Sequence, residues 1–347
     1  MARTIREEME ENEEKILSPH ACLSKNSKGR LRPEPECDIR VAFQRDRDRI
    51  IHCKAFRRLK YKTQVFLAPA GDHYRTRLTH VFEVSQIART VAVALKLNGH
   101  LTEAIALAHD LGHTPFGHAG ESVLNDLHPG GFRHYDQSLR VVDILENDGK
   151  GLNLNHEVRD GISMHSKGRK EILPQDISEL PTTMEGRVVR VADIIAYVNH
   201  DVDDALRASI IKEEQLPSHI YEKLGRTHSE RINTMVKDLI YTTLEGGGDR
   251  LTISPEIMSA ISDLRAFLYK NVYETNRVHD DFRKAMKVVR ELYNYFLENG
   301  LPREVVSTDS PSRDDHRAVC DFVAGMTDRY ALDLYHEIFL PKPWAVM

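Results

Sequence analysis

The chain has 347 residues, a net charge of −5, and 41% hydrophobic and 29% charged residues. This composition excludes a fibrous or disordered protein, and no apolar run approaches the roughly 20 residues that span a bilayer. The negative charge gives no overall signature of nucleic-acid binding. The charged N-terminus lacks the apolar core of a secretion signal and the four cysteines are scattered. We therefore expect reduced thiols and a cytoplasmic location.

A basic run follows a partly irregular N-terminal segment that we place at residues 1–39. From Arg45 to Lys62 the sequence has eight Lys or Arg residues and two Asp residues. Runs of this kind usually form the solvated face of a helix. Because an acidic protein that concentrates positive charge focuses its electric field there, an anion-binding wall is the second interpretation.

Apolar residues recur at helical spacing along most of the remaining sequence, which predicts an all-α fold. The first helix is predicted at residues 79–97. Thr102 is a suitable N-cap for the next helix, which Gly112 would end. Thr114 and Pro115 then predict the cap and first position of a helix that continues to residue 127.

The second half of the chain predicts two long helices, at residues 185–209 and 255–299, the second one interrupted. Residues 249–254 have the character of a short strand. Loops are predicted at 245–250 and 307–315, where glycine or serine and charged residues cluster.

Four polar residues lie on these apolar helices: His80, the adjacent His109 and Asp110, and Asp193. A single histidine in such a place is more often a hydrogen-bonded core residue than a ligand. Asp193 is different, because a carboxylate among valines, alanines and isoleucines is almost never buried unless it is paired. Two imidazoles and two carboxylates suit a borderline divalent ion such as Mn, Fe, Co, Ni or Zn, and Mg less well.

A lone His, an adjacent His-Asp and a distant Asp together resemble the HD-domain metal-dependent phosphohydrolases. Four segments are similar to consecutive motifs of the dGTP triphosphohydrolase family: RLTHVFEVSQIART, AHDLGHTPFGHAGE, GFRHYDQSLRVV and VRVADIIAYVNHDVDDAL. That family hydrolyses deoxynucleoside triphosphates to deoxynucleoside and tripolyphosphate. The resemblance is strong from about residue 40 to 205 and weaker towards the C-terminus. It implies an HD core at 40–209 and a helical region at 210–347 packed on this core.

The resemblance also implies roles for single residues. The implied metal ligands are His80, His109, Asp110 and Asp193. The implied catalytic residues are His118, Glu121 and His134. The implied substrate-binding residues are Gln64 against the deoxyribose, Arg77 on the phosphates, and Tyr197 and Asp201 on the sugar and its 3′-hydroxyl. The implied cofactor is a divalent metal ion: Mn, Mg, Co, Ni, Fe or Zn. The implied partners are a deoxynucleoside triphosphate and further copies of the chain, with no membrane and no nucleic acid.

One position departs from the family pattern. Many relatives have Lys or Arg directly after the last aspartate ligand, whereas this chain has Ile194. A phosphate contact is therefore absent at this position, and basic residues of the 45–62 run are candidates to replace it.

Two other functions stay open at this point. The first is a different HD phosphohydrolase, such as a nucleotidase or a cyclic-nucleotide phosphodiesterase, in which His113, His156 and His165 would serve a second ion. That function leaves Gln64, Tyr197 and Asp201 without a role. The second is a non-catalytic nucleotide-binding regulator with a purely structural ion, against which the intact pair of His118 and Glu121 argues.

Overall fold

The computed structural model describes residues 3–64, 75–166, 171–273, 275–302 and 315–341, excluding the side chains of residues 276–279. Within these ranges the regular structure is helical, without a β-strand, and the all-α prediction is confirmed. The helices are α1 (Ile5–Ile16), α2 (Ala42–His52), α3 (Lys54–Arg58), α4 (Arg77–Ala94), α5 (Gly99–Ala108), α6 (His118–Leu127), α7 (His134–Arg140), α8 (Glu146–Gly149), α9 (His156–Met164), α10 (Met184–Arg207), α11 (Ser218–Leu224), α12 (His228–Glu245), α13 (Pro255–Leu268), α14 (Asn276–Asn299), α15 (Asp315–Ala324) and α16 (Asp328–Phe339). No helix in the described ranges is long and apolar enough to cross a membrane.

The larger hydrophobic core, which we call core A, surrounds α10. This helix begins at the N-cap Thr183, whose side chain accepts a hydrogen bond from the Gly186 backbone N–H. It packs against α4, α5, α9, α12 and α13. Most of its apolar residues, Val188 and Ile195 among them, are buried, and so are those of α4 and α5 that face it. Polar side chains on these three helices are therefore brought close together inside the protein.

A second core, core B, joins α6 to the C-terminal helices. Val123 and Leu124 of α6 pack with Phe116 and Phe132 against the apolar faces of α14, α15 and α16. α14 contributes Val289 and other buried residues and contacts α6 directly. The helix that begins at His118 thus packs with the C-terminal region, whereas α4, α5 and α10 form core A. The boundaries predicted at residues 39 and 209 stay a prediction.

The first part of the basic run holds the N-terminal segment in place. Arg45 and Arg49 both pair with Glu34, at 3.0 Å and 2.6 Å, and Arg47 pairs with Asp48 at 2.8 Å. The Lys62 ammonium is buried and donates to the backbone carbonyls of His113 and Ala324. These four side chains are therefore engaged by the protein itself, and an anion-binding role for the other basic residues of the run stays a prediction.

Several local predictions are wrong in detail. α5 begins three residues before Thr102, because Asn98 is the N-cap and accepts from the backbone N–H groups of His100 and Leu101. α6 begins at His118 and not at Pro115, because Phe116 and Gly117 have positive φ angles. The strand predicted at residues 249–254 does not form in the described structure. The interruption expected within 255–299 lies at a π-helical turn, Tyr269–Tyr273. Most of the loop predicted at 307–315 lies outside the described residues.

Candidate metal centre and active site

Three helices of core A bring the four predicted metal ligands together. His80 is on α4, His109 and Asp110 follow α5 directly, and Asp193 is on α10. His80 Nε2 lies 3.1 Å from Asp193 Oδ1 and 3.8 Å from Asp110 Oδ2. His109 Nε2 lies 3.5 Å from Asp110 Oδ1 and 3.8 Å from Asp193 Oδ1. The four side chains form one compact group, as the sequence predicts.

The orientation of His109 fits a metal ligand. Its Nδ1 lies 2.7 Å from the Ala106 carbonyl oxygen, a distance at which the ring N–H donates. This leaves the lone pair on Nε2, which is fully buried and has no hydrogen-bond partner among the described residues. An unpartnered buried acceptor is costly, and histidine ligands of metals commonly donate their other ring N–H to a carbonyl. The donor set therefore fits a divalent cation.

The neighbouring groups in this cluster shift the pKa values of its two carboxylates. Burial raises the pKa of Asp193, but the hydrogen bond from His80 and the electrostatic effects of His109 and His80 together outweigh burial, and the net pKa is lowered to about 2. Burial also opposes ionisation of Asp110, whereas His113, His109 and Arg77 together hold its pKa well below the usual value. Both carboxylates are therefore ionised near neutral pH, which is the form that binds a cation.

Two further histidines border the predicted ligands. His165 follows α9, and its Nδ1 lies 2.7 Å from the Ile162 carbonyl oxygen, the same arrangement as in His109. The donor atoms of His109, His165 and Asp193 lie within 4.8 Å of one another. Burial, with the nearby His109 and His134, lowers the pKa of His165 to about 3, so its ring is neutral. His165 was considered from the sequence only for a second ion; its position shows that it belongs to the same cluster.

His113 connects the metal cluster to the predicted catalytic residues. Its Nε2 lies 3.2 Å from Asp110 Oδ1, and its ring stacks on the His134 ring with 4.1 Å between centroids. Asp110, His113 and His134 form a second group with donor atoms within 4.8 Å of one another. His113 thus joins the two halves of the predicted site, and His165, whose ring centroid lies 5.3 Å from that of His134, also contacts both.

The predicted catalytic residues surround one carboxylate. Glu121 Oε1 lies 2.9 Å from His134 Nδ1 and accepts the His134 backbone N–H at 2.8 Å. Glu121 Oε2 lies 3.3 Å from His118 Nδ1. The His118 side chain is 73% exposed and that of His134 is 11% exposed. Glu121 therefore holds one buried and one accessible imidazole.

The pairing sets the ionisation of these groups. Burial would raise the pKa of Glu121, but the His134 charge and hydrogen bonds from His118 and His134 lower it well below its usual range. For His134, burial alone would lower the pKa. The charge and hydrogen bond of Glu121 outweigh the effect of burial, so the net pKa of His134 is raised. A carboxylate that holds an imidazole in its protonated form is suited to proton transfer near neutral pH.

A tight turn and a close helix contact place these residues. Phe116 and Gly117 have φ angles of 60° and 57° before α6 begins. For Phe116 this left-handed conformation costs about 1–2 kcal/mol. At Gly112 a Cβ would lie 2.1 Å from the Ser138 backbone nitrogen, so only glycine lets α7, which begins at His134, approach this closely.

Arg77 and Gln64 lie between the metal cluster and this turn. Arg77 is buried, and its Nη1 donates to Asp110 Oδ2 at 2.9 Å. Its Nη2 is 3.0 Å from the position that a Cβ would take on Gly117. The side-chain Oε1 of Gln64 is buried and has no hydrogen-bond partner in the described structure. Their proposed contacts with phosphate and sugar stay predictions.

Tyr197 and Asp201 extend along α10 from Asp193. Asp201 Oδ2 accepts the Tyr273 hydroxyl, whereas Asp201 Oδ1 is buried with no hydrogen-bond partner in the described residues. Burial raises the pKa of Asp201 to about 7 and that of Tyr197 to about 12, the latter opposed by Arg265. Tyr273 and Arg265 are not predictable from the sequence, because no local motif marks them. Ile194 packs at the edge of core A.

Comparison with known proteins places this site in a family. The HD domain model matches residues 77–198, and the phosphohydrolase-associated domain matches residues 251–337. The site is that of an HD-domain phosphohydrolase.

The chain is 56% identical to a deoxyguanosinetriphosphate triphosphohydrolase-like protein of Caldanaerobacter subterraneus subsp. tengcongensis, over 98% of this chain and 97% of that one. A protein of the same name from Desulfatibacillum aliphaticivorans is 53% identical, over 98% of this chain and 99% of that one. The chain belongs to this family of deoxyguanosinetriphosphate triphosphohydrolase-like proteins.

Proposed function

We propose that the chain hydrolyses deoxynucleoside triphosphates to deoxynucleoside and tripolyphosphate, with a divalent metal ion as cofactor. The observation that carries the proposal is the stack of His113 on His134, because it places the Glu121 pair directly beside the His/Asp cluster. The names of the relatives support the same reaction and agree with the dGTP triphosphohydrolase motifs.

Each half of the site has a part in the reaction. His80, His109, Asp110 and Asp193 would hold the cation. When bound, the cation would supply Lewis-acid chemistry at the α-phosphate. Arg77 is placed to neutralise phosphate charge, and its guanidinium suits paired oxygens. Buried carboxylates and arginine thus provide positioning and electrostatics, which is most of what a protein contributes to phosphoryl transfer.

The leaving group is the 5′-oxygen of the nucleoside. Water attacks the α-phosphorus, the bond from this phosphorus to the 5′-oxygen breaks, and tripolyphosphate leaves in one piece. The 5′-oxygen then needs a proton. His118 is the accessible imidazole on Glu121 and is therefore assigned as the general acid, while His134 holds Glu121 in place.

Two positions support the proposed recognition of the sugar: Asp201 for its 3′-hydroxyl and Gln64 for its 2′ side. Its unpartnered Oδ1 is a buried acceptor that a 3′-hydroxyl would satisfy. Gln64 would lie against the 2′ side of the sugar, where it would select against a ribose hydroxyl.

The second donor group, Asp110, His113 and His134, favours a second candidate, a two-ion nucleotidase or phosphodiesterase of the same superfamily. The two reactions differ in substrates and products. A panel of the four dNTPs, the four ribonucleotides and a cyclic nucleotide, each with Mn, Mg and Co, separates them by product chromatography. The proposal expects tripolyphosphate from dNTPs only, and phosphate or opened cyclic nucleotide would favour the second candidate.

An inactive control is needed for this panel. Asp193→Asn removes one charge from the cluster and should abolish metal retention and turnover together. Asp333→Asn makes the same change on the exposed face of α16 and should alter neither. A full metal content in Asp193→Asn would remove Asp193 from the site.

A further inference from the structure

One carboxylate of the C-terminal region contacts two segments of the active site. Asp328 is the first residue of α16. Its Oδ2 accepts the Thr63 backbone N–H at 2.8 Å and also the Thr63 hydroxyl. Its Oδ1 accepts the Phe116 backbone N–H at 2.8 Å. Both oxygens of a single side chain are therefore used to join two stretches that are far apart in the sequence.

These stretches carry residues of the proposed reaction. Thr63 precedes Gln64, and Phe116 lies two residues before His118. The Gln64 backbone oxygen is 3.6 Å from the position of a Cβ on Gly117, so the two segments lie side by side. Lys62 adds a second connection, since its ammonium donates to the carbonyls of His113 and Ala324. Asp328 thus fixes the spacing between the sugar side and the proton-transfer side of the site.

The turn before α6 needs such support. Its two left-handed residues, Phe116 and Gly117, are held internally by Thr114, whose hydroxyl donates to the Gly117 carbonyl oxygen at 2.7 Å. The Phe116 side chain is buried in core B, whereas the metal ligands belong to helices of core A. The placement of His118 relative to the metal cluster therefore depends on contacts between the two cores, and Asp328, like Lys62, contributes polar ones.

We propose that Asp328 is a positioning residue for the hydrolysis reaction: by binding Thr63 and Phe116 together, it holds His118 and Gln64 in register with the metal cluster. It touches neither substrate nor metal. The inference rests on the proposed function for the reaction that it serves, but the contact itself is testable without any substrate.

The first test measures the turn directly. In Asp328→Asn, a side-chain NH₂ group replaces one of the two carboxylate oxygens. This donor then faces a backbone N–H donor, so one of the two hydrogen bonds from backbone N–H groups is lost. We expect hydrogen exchange in a peptide covering residues 110–120 to accelerate at least tenfold, while peptides of α4 and α10 keep their rates. Asp333→Asn, on the same helix and exposed, should leave all rates unchanged. Equal exchange at residues 110–120 in both variants would overturn the proposal.

The second test links this contact to turnover. With Mn and dGTP, Asp328→Asn should lower kcat at least tenfold with unchanged metal content. In a His118→Ala background the same change should lower kcat less than threefold, because the two residues act through one turn. If the effects of Asp328→Asn and His118→Ala on kcat were fully additive, Asp328 would have only a structural role. The same would follow if hydrogen exchange accelerated while kcat stayed unchanged.

A milder variant covers the case in which Asp328→Asn does not fold. Thr63→Val removes only the hydroxyl that Asp328 accepts, and should lower kcat two- to fivefold with the same selective rise in exchange. A Thr63→Val protein with normal exchange and kcat would contradict the proposal. A wild-type protein inactive on every dNTP would overturn the proposed function instead, and the exchange data would still decide whether the contact orders the turn.

Discussion

Arg77 and Asp110 form a buried ion pair, with 2.9 Å between Arg77 Nη1 and Asp110 Oδ2, beside the proposed metal site. The guanidinium therefore balances charge on a carboxylate that a cation would also bind. Both side chains are nearly inaccessible to solvent, at 2% and 5% exposure. Breaking such a pair leaves one charge buried and uncompensated, at a cost of about 3–5 kcal/mol.

This pair leads to a prediction about metal-dependent stability. Arg77→Met should destabilise the metal-free protein more than the Mn-loaded protein, because the added cation compensates Asp110. The rise in melting temperature on adding Mn should therefore be larger in the variant than in the wild type, as calorimetry can measure. Arg231→Met removes another buried arginine, which donates to Asn199, and should leave the rise caused by Mn unchanged. An equal rise in both variants would show that Arg77 and the metal do not share Asp110.

The proton-transfer pair leads to a second prediction. His118→Ala should retain the metal and lower kcat by about 10² or more, the usual loss for a general acid–base residue. Glu121→Gln should act similarly, and the double variant should be little worse than either single one, because the residues work as a unit. Steady-state kinetics and elemental analysis give both quantities. Near-normal kcat in His118→Ala would show that this histidine is a surface residue without a catalytic role.

The arrangement of the site could be predicted only in part. The helices α4, α5 and α10 and the grouping of His80, His109, Asp110 and Asp193 are predictable because apolar periodicity and the HD motifs are local patterns. The start of α6 was misplaced, because capping signals at Thr114 and Pro115 compete with a left-handed turn that core B stabilises. Contacts such as that of Asp328 with Thr63 join positions 265 residues apart, and no local pattern predicts them.

Sugar selection leads to a third prediction. Asp201→Ala removes the buried acceptor beside Tyr273 and should weaken the preference for dGTP over 2′,3′-dideoxy-GTP. A hydrogen bond of this kind is worth about 1–3 kcal/mol when its partner is left unsatisfied, so the ratio of the two kcat/KM values should fall at least fivefold. The metal content should not change. A wild-type enzyme that turns over GTP, dGTP and dideoxy-GTP equally would exclude the deoxynucleotide assignment.

Glu185, at the start of α10, leads to a prediction about pH. It is fully buried; its Oε1 accepts the backbone N–H groups of Cys22 and Asn98, and its Oε2 has no partner in the described residues. Burial raises its pKa to about 7, against opposing hydrogen bonds. Because the folded pKa lies above the unfolded one, this group's contribution to stability is complete below pH 4.5 and is lost as the pH rises through about 7.

Glu185→Gln keeps the carbonyl acceptor and removes the titration. Between pH 5 and pH 8, the free energy of unfolding of the wild type should fall relative to this variant by about 2–3 kcal/mol. Urea denaturation at the two pH values measures the difference, and Glu214→Gln, at an exposed position, should follow the wild type. A parallel pH dependence of the Glu185→Gln variant and the wild type would show that this carboxyl is ionised throughout.

The products formed from dGTP in ¹⁸O-labelled water test the central proposal most directly. Attack at the α-phosphorus with cleavage of the bond to the 5′-oxygen predicts deoxyguanosine without label and tripolyphosphate carrying one ¹⁸O, by chromatography and mass spectrometry. The reaction should require the added divalent metal and be absent in Asp193→Asn. Formation of labelled dGMP, of inorganic phosphate, or of no product with any metal would contradict it.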